Sequence, residues 1–134
     1  MKDYKRQSLL LLKLGGVNRQ LHSYKLALSM YNESLLILYK LKKGHKYDQF
    51  DSIELTLREA EIYGDIGIIY KMQNKIKRSL QFYEEALDIF TQLNSGGKIS
   101  WILGEIGQIY SMQGSYGKAI DIYKKALSLL LANK

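Results

Sequence analysis

Two stretches forty residues apart read almost alike: Tyr63-Gly64-Asp65-Ile66-Gly67-Ile68-Ile69-Tyr70 and Leu103-Gly104-Glu105-Ile106-Gly107-Gln108-Ile109-Tyr110. Laying residues 60–90 over 100–130 gives eleven identities in thirty-one places, among them Met72/Met112, Gln73/Gln113, Tyr83/Tyr123, Ala86/Ala126 and Leu87/Leu127. A fixed period of this size marks stacked units, each of which buries its apolar face only against its neighbours. Such a scaffold is expected to hold a partner rather than to transform a substrate.

At 134 residues the chain suits one domain with a real core, expected to span 1–134. The hydrophobic content is 46% and proline is absent, which favours uninterrupted helices. The lack of cysteine removes disulfides, thiolate metal sites and cysteine nucleophiles together, and fits a reducing, cytoplasmic compartment. The start, Met1-Lys2-Asp3-Tyr4-Lys5-Arg6 followed by Leu9 to Leu12, superficially suggests a secretory leader. Lys13 interrupts the apolar run, no small-residue cleavage site follows, and the segment falls into register with the later units, so it reads as a first helix. No run approaches the roughly 18 apolar residues that a membrane span needs.

Net charge is +7, and all of the excess is N-terminal: residues 1–50 hold ten Lys/Arg against three Asp/Glu, residues 51–134 ten against ten. The basic set is Lys2, Lys5, Arg6, Lys13, Arg19, Lys25, Lys40, Lys42, Lys43 and Lys46. It could serve a nucleic acid or an anionic surface, although lysines scattered along helices more often form a solvated face. No nucleic-acid-binding motif accompanies it.

In the second and third units an aromatic or Leu is followed after two residues by Ile-Gly and after two more by Tyr. Asn74 in one copy and Gly114-Ser115 in the other then break each unit into two antiparallel helices, with Asn74 and Ser115 suited to capping the second. A glycine inside a helix costs about 1 kcal/mol relative to alanine, so Gly64, Gly67, Gly104 and Gly107 need a compensating close approach. Small residues on the second helix are expected to answer them: Ser79 and Ala86 in one unit, Ala119 and Ala126 in the other. Tyr83 and Tyr123 lie on the same helical face.

This spacing resembles the tetratricopeptide repeat, W-x2-L-G-x2-Y, then A-x3-F, then A and P. Tyr63, Ile66, Gly67, Tyr70, Ser79, Tyr83 and Ala86 fill one unit, and Leu103, Ile106, Gly107, Tyr110, Ala119, Tyr123 and Ala126 the next. Leu11, Leu14, Gly15, Ala27, Tyr31 and Ser34 stand at the same offsets in a degenerate first unit, where Asn18 replaces the tyrosine. No unit ends in proline, Trp is absent from its usual place, and the period is 52 and then 40 residues rather than about 34. The resemblance implies an all-α, right-handed superhelix (α-solenoid) of three antiparallel helix pairs, with repeats at about 8–43, 52–93 and 97–132, in the long-repeat form. Helices are expected at 4–20, 23–43, 52–73, 75–93, 97–113 and 116–132. The segment Lys42 to Asp51 reads as an exposed loop, with Gly44 ending one helix and Asp51-Ser52-Ile53-Glu54 opening the next as a capping box.

Catalytic chemistry is poorly supplied. The two histidines, His22 and His45, fall in turns and read as solvated, and without cysteine or His-x-x-x-His spacing they make a poor zinc set. Asp65 and Glu105 could pair for acid–base work only in a pocket that the pattern does not indicate. Neither Gly114-Ser115-Tyr116-Gly117-Lys118 nor Gly64-x-x-Gly67 has the arrangement of a phosphate loop. The chain therefore reads as a non-enzyme that needs no cofactor.

The resemblance implies that the first helix of each unit lines a concave surface where partners bind. By offset from Gly15, Gly67 and Gly107 the inward set is Leu9, Leu12, Lys13, Gly16, Arg19 and Gln20; Glu61, Gly64, Asp65, Ile68, Lys71 and Met72; and Trp101, Gly104, Glu105, Gln108, Ser111 and Met112. From these, Lys13, Arg19, Gln20, Glu61, Asp65, Ile68, Lys71, Met72, Trp101, Glu105, Gln108 and Met112 are the candidate peptide-binding residues. Met72, Met112 and Trp101 suit adaptable contact with a peptide or, equally, core between units. Gly64 and Gly104 either deepen the groove or permit tight packing of neighbouring units. Members that clamp a C-terminal carboxylate use Lys and Asn where this chain has Leu12 and Gly16, so that clamp is missing. At the far end, Leu127, Leu130 and Leu131 are expected to remain uncovered and to form an interface, either a two-fold homodimer or the seat of further sequence.

Overall fold

Six α-helices fill the described residues: α1 (Tyr4–Gln20), α2 (Tyr24–Lys43), α3 (Gln49–Met72), α4 (Ile76–Gln92), α5 (Gly96–Met112) and α6 (Tyr116–Ala132). The structure, a computed structural model, describes residues 3–44 and 49–132, the side chains of 49–51 excepted, and contains no strand among them. Five of the six helices begin and end within one residue of the positions expected from sequence. α3 begins three residues early, so Asp51 lies inside the helix instead of capping it. Gln49 and Phe50 carry nothing that breaks a helix, and a capping box permits a start without enforcing one. The expected loop shrinks accordingly: Lys42 and Lys43 belong to α2, Gln49 to Asp51 belong to α3, and His45 lies outside the described residues. The longer first period is taken up by the 20 and 24 residues of α2 and α3, against 17 in each other helix.

Four of the turns share one device. His22, Asn74, Asn94 and Gly114 adopt φ of 62°, 61°, 53° and 79°. In each, the next amide donates to a carbonyl five residues back: Ser23 to Asn18 (2.8 Å), Lys75 to Tyr70 (2.8 Å), Ser95 to Phe90 (3.0 Å) and Ser115 to Tyr110 (2.9 Å). This left-handed closure satisfies carbonyls that the helix end would leave bare. Asn74 thus closes α3 and does not cap α4, whose N-cap position is Lys75 without a side-chain hydrogen bond. Asparagine tolerates the left-handed region, and that tolerance decided its role.

Helices pack as pairs α1–α2, α3–α4 and α5–α6, and the second helix of each pair meets the first helix of the next. α1 also touches α3 and α3 touches α5, while among the described residues α2 and α4, and α4 and α6, make no contact. First helices close together and second helices splayed apart produce a curved array, a solenoid, with α1, α3 and α5 inside. No helix of the described residues is long and apolar enough to cross a membrane.

The glycines are explained by tyrosines rather than by backbone approach. A Cβ on Gly15, Gly67 or Gly107 would lie 2.5, 2.6 or 2.8 Å from the ring of Tyr31, Tyr83 or Tyr123 respectively. Each ring therefore packs against a glycine of its own helix pair. The expected small residues are buried beside them, and Ser79 Oγ donates to the Gly67 carbonyl at 2.7 Å. Gly64 answers the next unit instead: its Cβ would meet the Trp101 ring at 2.6 Å. Two apolar clusters follow, one of Tyr31, Leu38, Ile62, Ile66 and Ile69 between the first and second units, the other of Tyr83, Phe90, Ile102, Ile106 and Ile109 between the second and third.

Candidate binding site on the inner face

The inner face has a polar floor repeated at each junction of units. Each junction takes a cation four residues after the glycine of one unit, the tyrosine that covers that glycine, and a carboxylate two residues before the glycine of the next. At the second junction these are Lys71, Tyr83 and Glu105. Lys71, though a lysine, is buried; its Nζ donates to Glu105 Oε2 at 2.5 Å and to the Gln108 side-chain carbonyl. The Tyr83 hydroxyl donates to the same carboxylate at 3.3 Å. Burial, reinforced by the Glu105 charge, raises the Tyr83 pKa well above the ordinary phenol value, so this tyrosine is a donor throughout the physiological range. The group is closed on itself.

The first junction has Arg19, Tyr31 and Asp65 in the same positions, and it is open. Arg19 Nε and the Tyr31 hydroxyl are buried without a hydrogen-bond partner. Burial, with the nearby Glu61 charge adding to it, pushes the Asp65 carboxyl up to about 6, against the pull of Arg19, Tyr31 and Lys98. Burial and the charge of Asp65 likewise bring Tyr31 to about 12. Two donors and one reluctant carboxylate therefore share a poorly solvated spot. A buried donor left unmade costs about 1–3 kcal/mol, so this spot stores a preference for whatever polar group can enter it.

The other sequence-predicted residues divide clearly. Lys13, Gln20, Met72, Gln108 and Met112 are exposed, so the methionines are surface and not core. Leu12 is buried and leaves the inward set for the core. Trp101 is partly buried against Gly64 and Phe90, with ring centroids 6.3 Å apart from the latter, so it joins units together. Glu61 pairs with Lys98 at 3.3 Å. Ile68 is half-buried beside the second apolar cluster. Lys71 and Glu105 neutralise each other and offer less to a partner than their charges suggested.

Sequence reasoning passed over Tyr31, placed by its spacing only as a repeat residue, and Arg58. Arg58 reaches from α3 to α1, donating to the Lys5 carbonyl (2.9 Å) and to Ser8 Oγ (2.8 Å), with Glu54 at 3.3 Å. Its spacing signalled only the Glu54 pair four residues earlier in α3, because Lys5 and Ser8 come from another unit. Acids of α3 also meet the basic first third: Lys5 pairs with Glu54 and Lys42 with Glu59, both at 2.8 Å. Shallow depressions occur elsewhere, around His22, Tyr24 and Leu26 and around Tyr63, Arg78 and Phe82. Neither includes the buried unpartnered donors of the inner floor, which are the better mark of a site.

The tetratricopeptide repeat profile matches residues 58–132. Among solved structures, the crystal structure of BtubC (BKLC) from P. vanneervenii superposes with a TM-score of 0.73 at 18% identity, over 96% of this chain and 48% of that one. This chain thus spans about half the length of that neighbour, and the likeness concerns the fold. No curated protein matches the sequence. The chain belongs to the tetratricopeptide repeat family. Repeats of this family generally mediate protein–protein interaction and are typically non-catalytic.

Proposed function

We propose that this tetratricopeptide repeat domain, spanning 1–134, binds a segment of a partner protein along its inner face, with Arg19, Tyr31 and Asp65 as the polar anchor. The observation that carries the reading is the pair of buried, unpartnered donors at the first junction beside a carboxylate, where the second junction is closed. An amide group satisfies that set at once, its oxygen accepting from Arg19 Nε or the Tyr31 hydroxyl and its N–H donating to Asp65. The anchor therefore suits a backbone amide or an Asn/Gln side chain better than an isolated charge. Exposed Lys13, Gln20, Met72 and Met112 supply adaptable contacts along the groove. The cysteine-free composition is compatible with a reducing, cytoplasmic setting.

A displayed random-peptide library selected on the wild-type protein tests this. Selected peptides should lose about tenfold or more in affinity on Arg19→Gln and on Asp65→Asn, and keep it on Glu84→Gln, an exposed residue of α4. Peptides indifferent to both inner changes would move the site off the inner face. Affinity that collapses log-linearly with salt and survives both changes would instead favour the basic first third and an anionic partner.

A further inference from the structure

Each junction between units is made of two half-faces, and among the described residues one such half-face on α1 and one on α6 are uncovered. On the first-helix side, Ile62, Ile66 and Ile69 of α3 and Ile102, Ile106 and Ile109 of α5 are at most 7% exposed, because the preceding unit covers them. The corresponding stripe of α1 is Leu10, Leu14 and Val17, each between 48% and 56% exposed. On the second-helix side, Tyr31 and Leu38 of α2 and Tyr83 and Phe90 of α4 are at most 1% exposed, whereas the corresponding Tyr123 and Leu130 of α6 are 43% and 52% exposed. Gly104 repeats the opening: its counterpart Gly64 is filled by Trp101, while nothing lies within 4 Å of a Cβ built on Gly104.

We propose that copies of this chain associate head to tail, the α1 stripe of one docking on the α5–α6 end of another so that the stack of units continues across the contact. The two open faces are the complementary halves of an interface that the molecule already makes twice, and Leu9 stands at the offset of Trp101 to enter the space over Gly104. The polar floor permits it as well. In the interior a cation faces a carboxylate, but at the new contact the cation position holds Ser111 and the carboxylate position holds Lys13, so no like charges meet, and Lys13 can donate to the Tyr123 hydroxyl. A two-fold pairing through α6 alone would join two second-helix faces and leave both α1 stripes uncovered. Head-to-tail contact is heterologous and does not close, so it builds open chains. Each copy carries +7, which opposes association at low ionic strength.

Sedimentation velocity from low-micromolar to near-millimolar protein tests the proposal. The mean mass should rise with concentration without a plateau at the dimer, and rise further as salt is added. Leu14→Glu and Leu130→Glu should each be monomeric with unchanged helicity, yet an equimolar mixture should form a heterodimer that grows no further, since one variant keeps the first-helix face and the other the second-helix face. Val17→Glu and Leu127→Glu replace either variant should it fail to fold. A wild type monomeric at every concentration and salt overturns the proposal. So does a mixture that stays monomeric, or a Leu14→Glu variant that dimerises while Leu130→Glu does not, the pattern of a two-fold contact through the last helix.

Discussion

The two junctions of this solenoid use the same positions and reach opposite outcomes. At the second, Lys71, Glu105 and Gln108 close on one another over Tyr83; at the first, Arg19 Nε and the Tyr31 hydroxyl have no hydrogen-bond partner although both residues lie beside Asp65. Three side chains differ: Arg19 stands where the second junction has Lys71. Asp65 is one methylene shorter than Glu105, and Ile68 stands where Gln108 supplies an acceptor. One backbone arrangement thus serves as a closed clasp in one place and as an open polar seat in the other.

The largest expected break of the comparison comes from removing the cations. Lys71→Met leaves the partly buried Glu105 uncompensated and should cost about 2–3 kcal/mol in denaturant unfolding, whereas Arg19→Met removes the charge that opposes Asp65, a carboxyl already pushed up to about 6 that neutralises readily, and should cost less, about 1 kcal/mol. Equal losses would mean that the two junctions are alike. Next are the glycines at one offset, with and without a following unit. Gly64→Ala drives a methyl into Trp101 and should cost about 1–2 kcal/mol, while Gly104→Ala meets open space and should gain up to about 1 kcal/mol from helix propensity. Melting shifts of the same sign would contradict the packing described.

The carboxylates should also differ in sign. Asp65 titrates near 6 in the folded chain against an ordinary value of 3.8, so the folded form binds this proton more tightly. Stability is lost as pH rises through that window, and the cost is fully present above it. Asp65→Asn should therefore stabilise by about 1–2 kcal/mol at neutral pH, after discounting for its partial exposure, and by nothing near pH 4. Glu105→Gln should destabilise at neutral pH, because it removes the charge that Lys71 needs. The smallest change in stability, under about 1 kcal/mol, is expected from Asp65→Glu combined with Ile68→Gln, which brings the acid and the amide of the second junction to the first beside Arg19. It sharpens the comparison through binding: peptides selected on the wild type should be lost although the fold is intact.

Much of the architecture was legible because helix pairs are written locally. Glycine, tyrosine and small residues recur at fixed offsets, and even the first unit, with Asn18 in place of a tyrosine, keeps Gly15, Ala27, Tyr31 and Ser34 in working positions. Errors appeared where two readings were locally permitted. Asn74 could cap α4 or close α3, and backbone closure prevailed; Asp51 could open α3 or sit inside it. Of the candidate site, the carboxylate Asp65 and the cation Arg19 follow from offset, but Lys71 and Glu105, which the same offset puts in the groove as charges, are each largely consumed by the other.

The sequence by itself determined the period and the six helices, since these depend on spacing within about forty residues. Only the tertiary structure decided which equivalent positions are filled, paired or open. Trp101 falls on Gly64 and Lys71 on Glu105 because adjacent units bring them together; Arg19 Nε and the Tyr31 hydroxyl lack a hydrogen-bond partner where the next unit offers a shorter acid and an isoleucine. Leu10, Leu14 and Val17 have the same apolar character as their buried counterparts, and their exposure depends solely on whether another unit lies against them. Hydrogen bonds and burial between units are set by distances across the stack, which no offset along the chain encodes.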